Sequence, residues 1–218
     1  MFVGHYAAAL AVKAAEPRAP LWSYIVGCQL LDYGWSALVL ADVEHLRLDP
    51  TLLGSHFDLY DMPWTHSLPA AVIWSLGAML VMRGVFRIPV VAAAAVGFSV
   101  FSHWLLDLLV HRPDLLIWPG GQKVGFALWN YPMPEMILEL GMLAVAAIAW
   151  TGRRKSEGRR AWPAAIFVTV LLVLQYVSIA LPASGPATDM ARTALMAYVA
   201  VAVLAWWIDR GPAKAAAV

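Results

Sequence analysis

Four apolar runs, Leu21 to Val43, Ile88 to Val110, Trp162 to Leu181 and Met190 to Ile208, each reach the ~20 residues of helix that a bilayer's hydrocarbon layer requires. Lipid offers the backbone no hydrogen bonds, so such runs must close their own as helices. Two shorter runs, Ser67 to Met82 and Glu135 to Trp150, span roughly 16 residues, which suits helices packed inside a bundle more than helices facing lipid. With a short apolar N-terminal helix before them, these runs predict an all-α, polytopic transmembrane bundle of about six spans. Residues 1–218 form a single integral membrane domain. Composition agrees: 61% of residues are hydrophobic and 13% charged, with a mean hydropathy of +0.69. Met1 to Ala15 has no basic leading segment and no cleavage site follows it, so it is read as part of the mature protein.

The connections carry the orientation. Lys13, Arg18, Arg83, Arg87, Arg153, Arg154, Lys155, Arg159, Arg160, Arg210 and Lys214 fall on one side of a six-span arrangement, leaving Arg47, Arg112, Lys123 and Arg192 on the other. The positive-inside rule then makes both termini cytoplasmic, as in a bacterial inner membrane. The breaks between spans are Arg83 to Arg87, Pro113 to Gly121, the polar run Thr151 to Arg160, and Pro182 to Pro186. A net charge of +1 offers no basic stripe for nucleic acid, and the lone Cys28 excludes a disulfide framework or a cysteine-rich metal site. The lipid bilayer is the one partner this composition implies, and no protein partner is named by it. The eleven tryptophans cluster near span ends, as an aromatic belt does. The outer loops, Glu44 to His66 and His111 to Pro134, hold most of the remaining acidic and His residues, so the outer face is the expected working face.

Asp32, Asp107 and Glu139 lie inside apolar runs, where an ionised side chain costs at least ~2.5 kcal/mol and demands a partner. At ~1.5 Å rise per residue, Asp32 stands roughly 16 Å up its helix, Glu139 roughly 18 Å and His103 roughly 22 Å, with His66 and Asp107 slightly higher. Four segments thus bring ionisable groups to one layer at or just above the midplane. His103 and Asp107 share a helix face at four-residue spacing, a ligand pair suited to zinc or a similar divalent ion, or equally a hydrogen-bonded pair that satisfies itself. His111 continues that face one turn on. His66 sits at a helix start, where capping by Thr65 or Ser67 is the plainer role. His5 approaches Asp32 if the N-terminal helix re-enters the bilayer, and is incidental if that helix lies flat. Glu135 and Glu139 form a like-charged pair that needs a cation or a proton between them. Glu44, at the end of the first span, either is solvated or supports the site from behind.

Gly4-His5, Gln29-Leu-Leu-Asp32, Asp61-x-Pro-x-Thr-His66-Ser-Leu, Ser-His103-Trp-x-x-Asp107 and His111-Arg-Pro-Asp114 together resemble the YdjM-like family of membrane-bound metal-dependent hydrolases. The resemblance runs to about Trp150; the two spans within 151–218 look generic. It implies that His5, Asp32, His66, His103 and Asp107 bind a divalent metal, zinc or else manganese, with Glu139 and His111 as catalytic candidates. This chain carries Asp32-Tyr-Gly in place of a Pro-Asp-x-Asp stretch, so one metal is expected before two.

Three functions are open at this point. A hydrolase would use a divalent ion to activate water against a phosphoryl or acyl group, and a site in the outer half of the bilayer suits a lipid or another amphiphilic phosphoester. A proton- or ion-coupled transporter would use the same residue types as a pathway, although no inverted repeat is visible. A non-catalytic scaffold would use them to bind helices together.

Overall fold

The computed structural model describes residues 1–181 and 184–210; Pro182, at the start of the last expected break, and the expected cytoplasmic Lys214 lie outside them. The chain is mostly helical, with eight α-helices among the described residues: α1 (Val3–Ala15), α2 (Leu21–Cys28), α3 (Leu30–Leu40), α4 (Leu68–Gly84), α5 (Val90–Val110), α6 (Pro132–Ser156), α7 (Trp162–Ala180) and α8 (Ala187–Asp209). Of these, α5, α6, α7 and α8 are long and apolar enough to cross a membrane, while α3 and α4 are shorter apolar helices.

Three expectations change. The fold is not purely helical, because the outer loops pair into two short antiparallel hairpins, β1 (His45–Leu48) with β2 (Phe57–Asp61) and β3 (Leu115–Leu116) with β4 (Lys123–Val124). The first apolar run is broken at Gln29, which stands between α2 and α3 with φ −114° and ψ 7°. The run Glu135 to Trp150, expected to be short, lies within α6, which has 25 residues and extends through Thr151 to Ser156, where Arg153, Arg154 and Lys155 face the negative end of the helix dipole.

Helix α1 is neither a span nor a surface helix. Val3, His5, Tyr6, Ala9 and Leu10 are buried, and α1 packs mainly on α6, with α2 and α5 beside it. Its alanines let it approach closely. Lys13 at its far end is also buried, and its ammonium donates to the carbonyls of Pro17 (3.0 Å) and Ala19 (2.7 Å). Two apolar clusters fill the bundle. One joins α1, α2 and the inner halves of α5 to α8, and the other joins α3, the outer half of α5 and the hairpin residues Leu46 and Leu59. Helix α5 belongs to both, through Val96 below and Val100 and Trp104 above.

Arg112 ties the outer loops together. Its guanidinium donates to Asn130 Oδ1 at 3.0 Å and to the carbonyls of Leu53 (2.6 Å) and Ser55 (3.0 Å), and it lies over Trp129.

Helices α4 and α5 touch where α5 carries no side chain: a Cβ on Gly97 would stand 2.9 Å from the Ser75 carbonyl oxygen. Gly97→Val is therefore expected to lower stability by about 1–3 kcal/mol through overpacking. Gly77→Ala, which meets nothing within 4 Å, should be neutral or stabilising, since Ala restricts the unfolded chain. Thermal unfolding of the two purified variants checks the contrast.

The first hairpin contains a pH-sensitive pair. His45 Nδ1 is 2.7 Å from Asp61 and its Nε2 is 3.5 Å from Asp42, with Tyr60 stacked alongside. The hydrogen bond to Asp61 raises the imidazole above its ordinary value of 6.5. A raised value favours the folded hairpin below about pH 6.5, and the benefit fades as pH rises through the shifted value. Amide protection factors across the hairpin, normalised to intrinsic exchange at each pH, should therefore be larger at pH 6 than at pH 8, and His45→Gln should remove the difference.

Candidate metal centre

Four elements meet at one layer. His5 comes from α1, Asp32 from α3, His66 from the turn before α4, His103 and Asp107 from α5, and His111 from the residue that ends α5. Six of the seven predicted side chains converge, and Glu139 does not join them. His5, His66, His103, Asp107 and His111 are buried, and Asp32 alone keeps some exposure, at 18% of its side chain.

Asp107 is the hub. Its Oδ1 lies 3.1 Å from His5 Nε2 and 3.3 Å from His111 Nε2, and its Oδ2 lies 3.0 Å from His103 Nε2 and 3.7 Å from His66 Nε2. Asp32 Oδ1 faces the same two imidazoles, 3.4 Å from His66 Nε2 and 3.5 Å from His103 Nε2. Two sets of ligand atoms result, His5–His103–Asp107 and Asp32–His66–His103, each within 4.8 Å and sharing His103. His5 and His103 stack with ring centroids 3.8 Å apart.

The outward nitrogens decide what the inward ones do. His103 Nδ1 is 2.7 Å from the Cys28 carbonyl, at the α2–α3 break. A carbonyl only accepts, so Nδ1 carries the proton and Nε2 presents a lone pair. His66 Nδ1 is 2.8 Å from Thr65 Oγ1, whose hydroxyl donates to Glu44 Oε2 at 2.7 Å, so this Nδ1 also donates. Glu44 is held in turn by the backbone N–H groups of Trp64 and Thr65. His111 Nδ1 is 2.9 Å from Asp114 Oδ1, the third such arrangement. Tyr198, from α8, donates its hydroxyl to Asp32 Oδ2 at 2.9 Å and leaves Oδ1 facing the imidazoles.

In the neutral rings of His66, His103 and His111, lone pairs therefore point at carboxylate oxygens. Asp107 Oδ2 has no hydrogen-bond partner among the described residues, although it is buried. The nearest fixed cation is the Met1 amine, 3.5 Å from Oδ1. Such an arrangement calls for positive charge at its middle, from a metal ion or from protons on the imidazoles. The spacings suit a metal ion: ligands 2.0–2.1 Å from a tetrahedral zinc stand about 3.3 Å apart, and the pairs here run from 3.0 to 3.7 Å. The donor set of imidazole and carboxylate is that of zinc or manganese rather than calcium.

Glu139 takes a different place. Its carboxylate accepts from the backbone N–H groups of Phe2 (3.0 Å) and Gly4 (2.9 Å), at the start of α1. It caps that helix from another one, with the favourable sign for the helix dipole. The carboxylate thus fixes the turn from which His5 projects.

Several supporting groups were not legible beforehand. Asp114 stands in the His111-Arg-Pro-Asp114 motif without a role of its own, though its three-residue spacing from His111 is a usable signal. Thr65 was read as a cap, and Glu44 as solvated or supporting; the structure selects support. Tyr198 and the Cys28 carbonyl carried no signal. Arg154, expected in a solvated basic run, is buried.

Removing the Thr65 hydroxyl leaves His66 Nδ1 without its partner. Thr65→Val is expected to weaken metal retention by about 10–100-fold with helix content unchanged, the usual cost of losing such support. Chelator competition on the purified protein, read beside circular dichroism, tests this.

No curated protein and no solved structure matches the chain. The match to a family is more extensive, covering residues 2–182 and so running beyond Trp150 through the first of the two spans read as generic. With its apolar helices and its ordered His and Asp motifs, the chain belongs to the YdjM inner membrane protein family.

Proposed function

We propose that this protein is a membrane-embedded, metal-dependent hydrolase acting on a lipid or another amphiphilic phosphoester. The observation that carries the reading is the convergence of Nε2 lone pairs on Asp107 and Asp32, an arrangement that a divalent cation satisfies. His5, Asp32, His66, His103 and Asp107 would hold the ion, zinc before manganese. Such an ion supplies Lewis-acid polarisation of a phosphoryl or acyl oxygen and makes water acidic enough to serve as a nucleophile near neutral pH.

The protein's own groups have separate duties. Tyr198 holds Asp32 so that one carboxylate oxygen faces inward. Glu44, through Thr65, fixes the His66 tautomer, and Glu139 fixes His5 through α1. His111 ends α5 beside the loop that follows, and with Asp114 behind it the pair is suited to moving a proton between the site and that loop. Asp32 is the most exposed group of the site, at 18% of its side chain, so a substrate headgroup would approach past it. Counting α2 and α3 as one broken span, and α4 as another, gives six spans with both termini cytoplasmic and the site in the outer half.

Elemental analysis of the purified protein tests the reading first. Wild type and the outer-surface variant Arg192→Ala should carry the same stoichiometric zinc or manganese, while His103→Ala and Asp107→Ala should lose it. A phosphodiester screen on the loaded protein should then show turnover that His111→Ala reduces by about 10²–10⁴-fold, the usual contribution of a general acid or base. Equal metal in all four proteins would remove the proposed centre. Metal without turnover on any phosphoester would remove the hydrolase and turn attention to flux assays.

A further inference from the structure

Lys155 follows Glu139 by enough helix to lie about 24 Å from it along α6, at 1.5 Å per residue. The turn after α6 gathers cations there. Gly158 adopts φ +70°, and Arg159 N–H closes back on the Arg154 carbonyl at 2.8 Å. The reversal leaves Lys155, Arg159 and Arg160 around a cavity of about 560 Å³, with Trp162 on its wall. Trp162 also lines a neighbouring cavity of about 350 Å³, shared with Pro163, Trp207, Ile208 and Arg210. One cavity is cationic, the next is mostly apolar, and a single indole joins them.

The acids nearby are already engaged. Glu157 pairs with Arg153 at 2.8 Å, and Asp209 with Arg159 at 3.1 Å and Lys13 at 3.5 Å. Lys155 and Arg160 have no ion pair among the described residues. Behind them lies Arg154, 2% exposed, with its Nε on the Arg160 carbonyl and its guanidinium over Trp150. Its Nη1 is buried and has no hydrogen-bond partner among the described residues. Orientation in the membrane requires only exposed cations; a buried guanidinium without an acid costs free energy that topology does not explain. A phosphate seated in front of Arg160 would offset it.

We propose that these joined cavities bind an anionic phospholipid, its phosphate against Lys155 and Arg160 and an acyl chain along Trp162 and Trp207. The site is separate from the His–Asp layer and does not depend on that layer's chemistry. Basic pockets at a bilayer surface gain about 1 kcal/mol per cation from anionic lipid, so two cations amount to tenfold or more.

The full-length protein in detergent, incubated with phosphatidylglycerol or with phosphatidylcholine of the same acyl chains, provides the test by native mass spectrometry. Wild type should retain phosphatidylglycerol about tenfold over phosphatidylcholine. Lys155→Gln with Arg160→Gln should bring retention to the phosphatidylcholine level, whereas Lys155→Arg with Arg160→Lys should keep it. Millimolar inorganic phosphate should leave the lipid adduct in place. Equal retention of the two lipids by wild type overturns the proposal, even if the double variant fails to fold. Displacement of the lipid by inorganic phosphate overturns the lipid assignment in favour of a free anion.

Discussion

A carboxylate buried among four imidazoles sets the terms for this bundle. Asp107 cannot be hydrated where it sits, so each of its oxygens must be met by protein or by a cation. The chain meets that demand with residues from α1, α5 and the turn before α4, and the helices accordingly pack around the polar layer. The break at Gln29 belongs to the same solution, because it is where the Cys28 carbonyl accepts from His103. The outward bonds of His66, His103 and His111 turn the lone pairs of their neutral rings inward. A site of this kind is orderly with a cation and frustrated without one.

Most of the architecture was legible because the period and length of apolar runs are dictated by lipid, which leaves few alternatives. The depth of Asp32, His103 and Glu139 could be estimated from helical rise, and the converging layer follows from it. Contacts that depend on rotation about a helix axis were not legible. Tyr198 sits in an apolar span whose faces all look alike in sequence, so nothing marked it as the partner of Asp32. Glu139 was placed at the right depth, but depth does not reveal that its oxygens would meet backbone amides of α1. His5 was undecided for the same reason: a thirteen-residue helix rich in alanine can lie flat or be enclosed, and the choice rests on the groove that α6, α2 and α5 leave for it. The hairpins were missed because strand pairing in short polar loops shows little alternation.

The two ends of the bundle solve opposite electrostatic problems. The end that carries the hairpins confines carboxylates and imidazoles beneath loops tied together by Arg112. The other end confines cations, Lys13 and Arg154 among them, and satisfies some with carbonyl oxygens and with Asp209. Helix α1 connects the two, with His5 in one and Lys13 in the other, so a tilt of that short helix would disturb both.

The dependence of α1 on Glu139 also fixes an order of assembly. The ribosome releases His5 long before α6 exists, so during synthesis the first amides of α1 have nothing to receive them, and its apolar face has no groove to enter. Asp107 and His103 meanwhile arrive in the bilayer with part of their company missing. The centre is therefore closed late, by the docking of an early segment onto a late one. A nascent chain truncated before α6 would hold unpaired ionisable groups in lipid, the kind of species that membrane quality control recognises and removes.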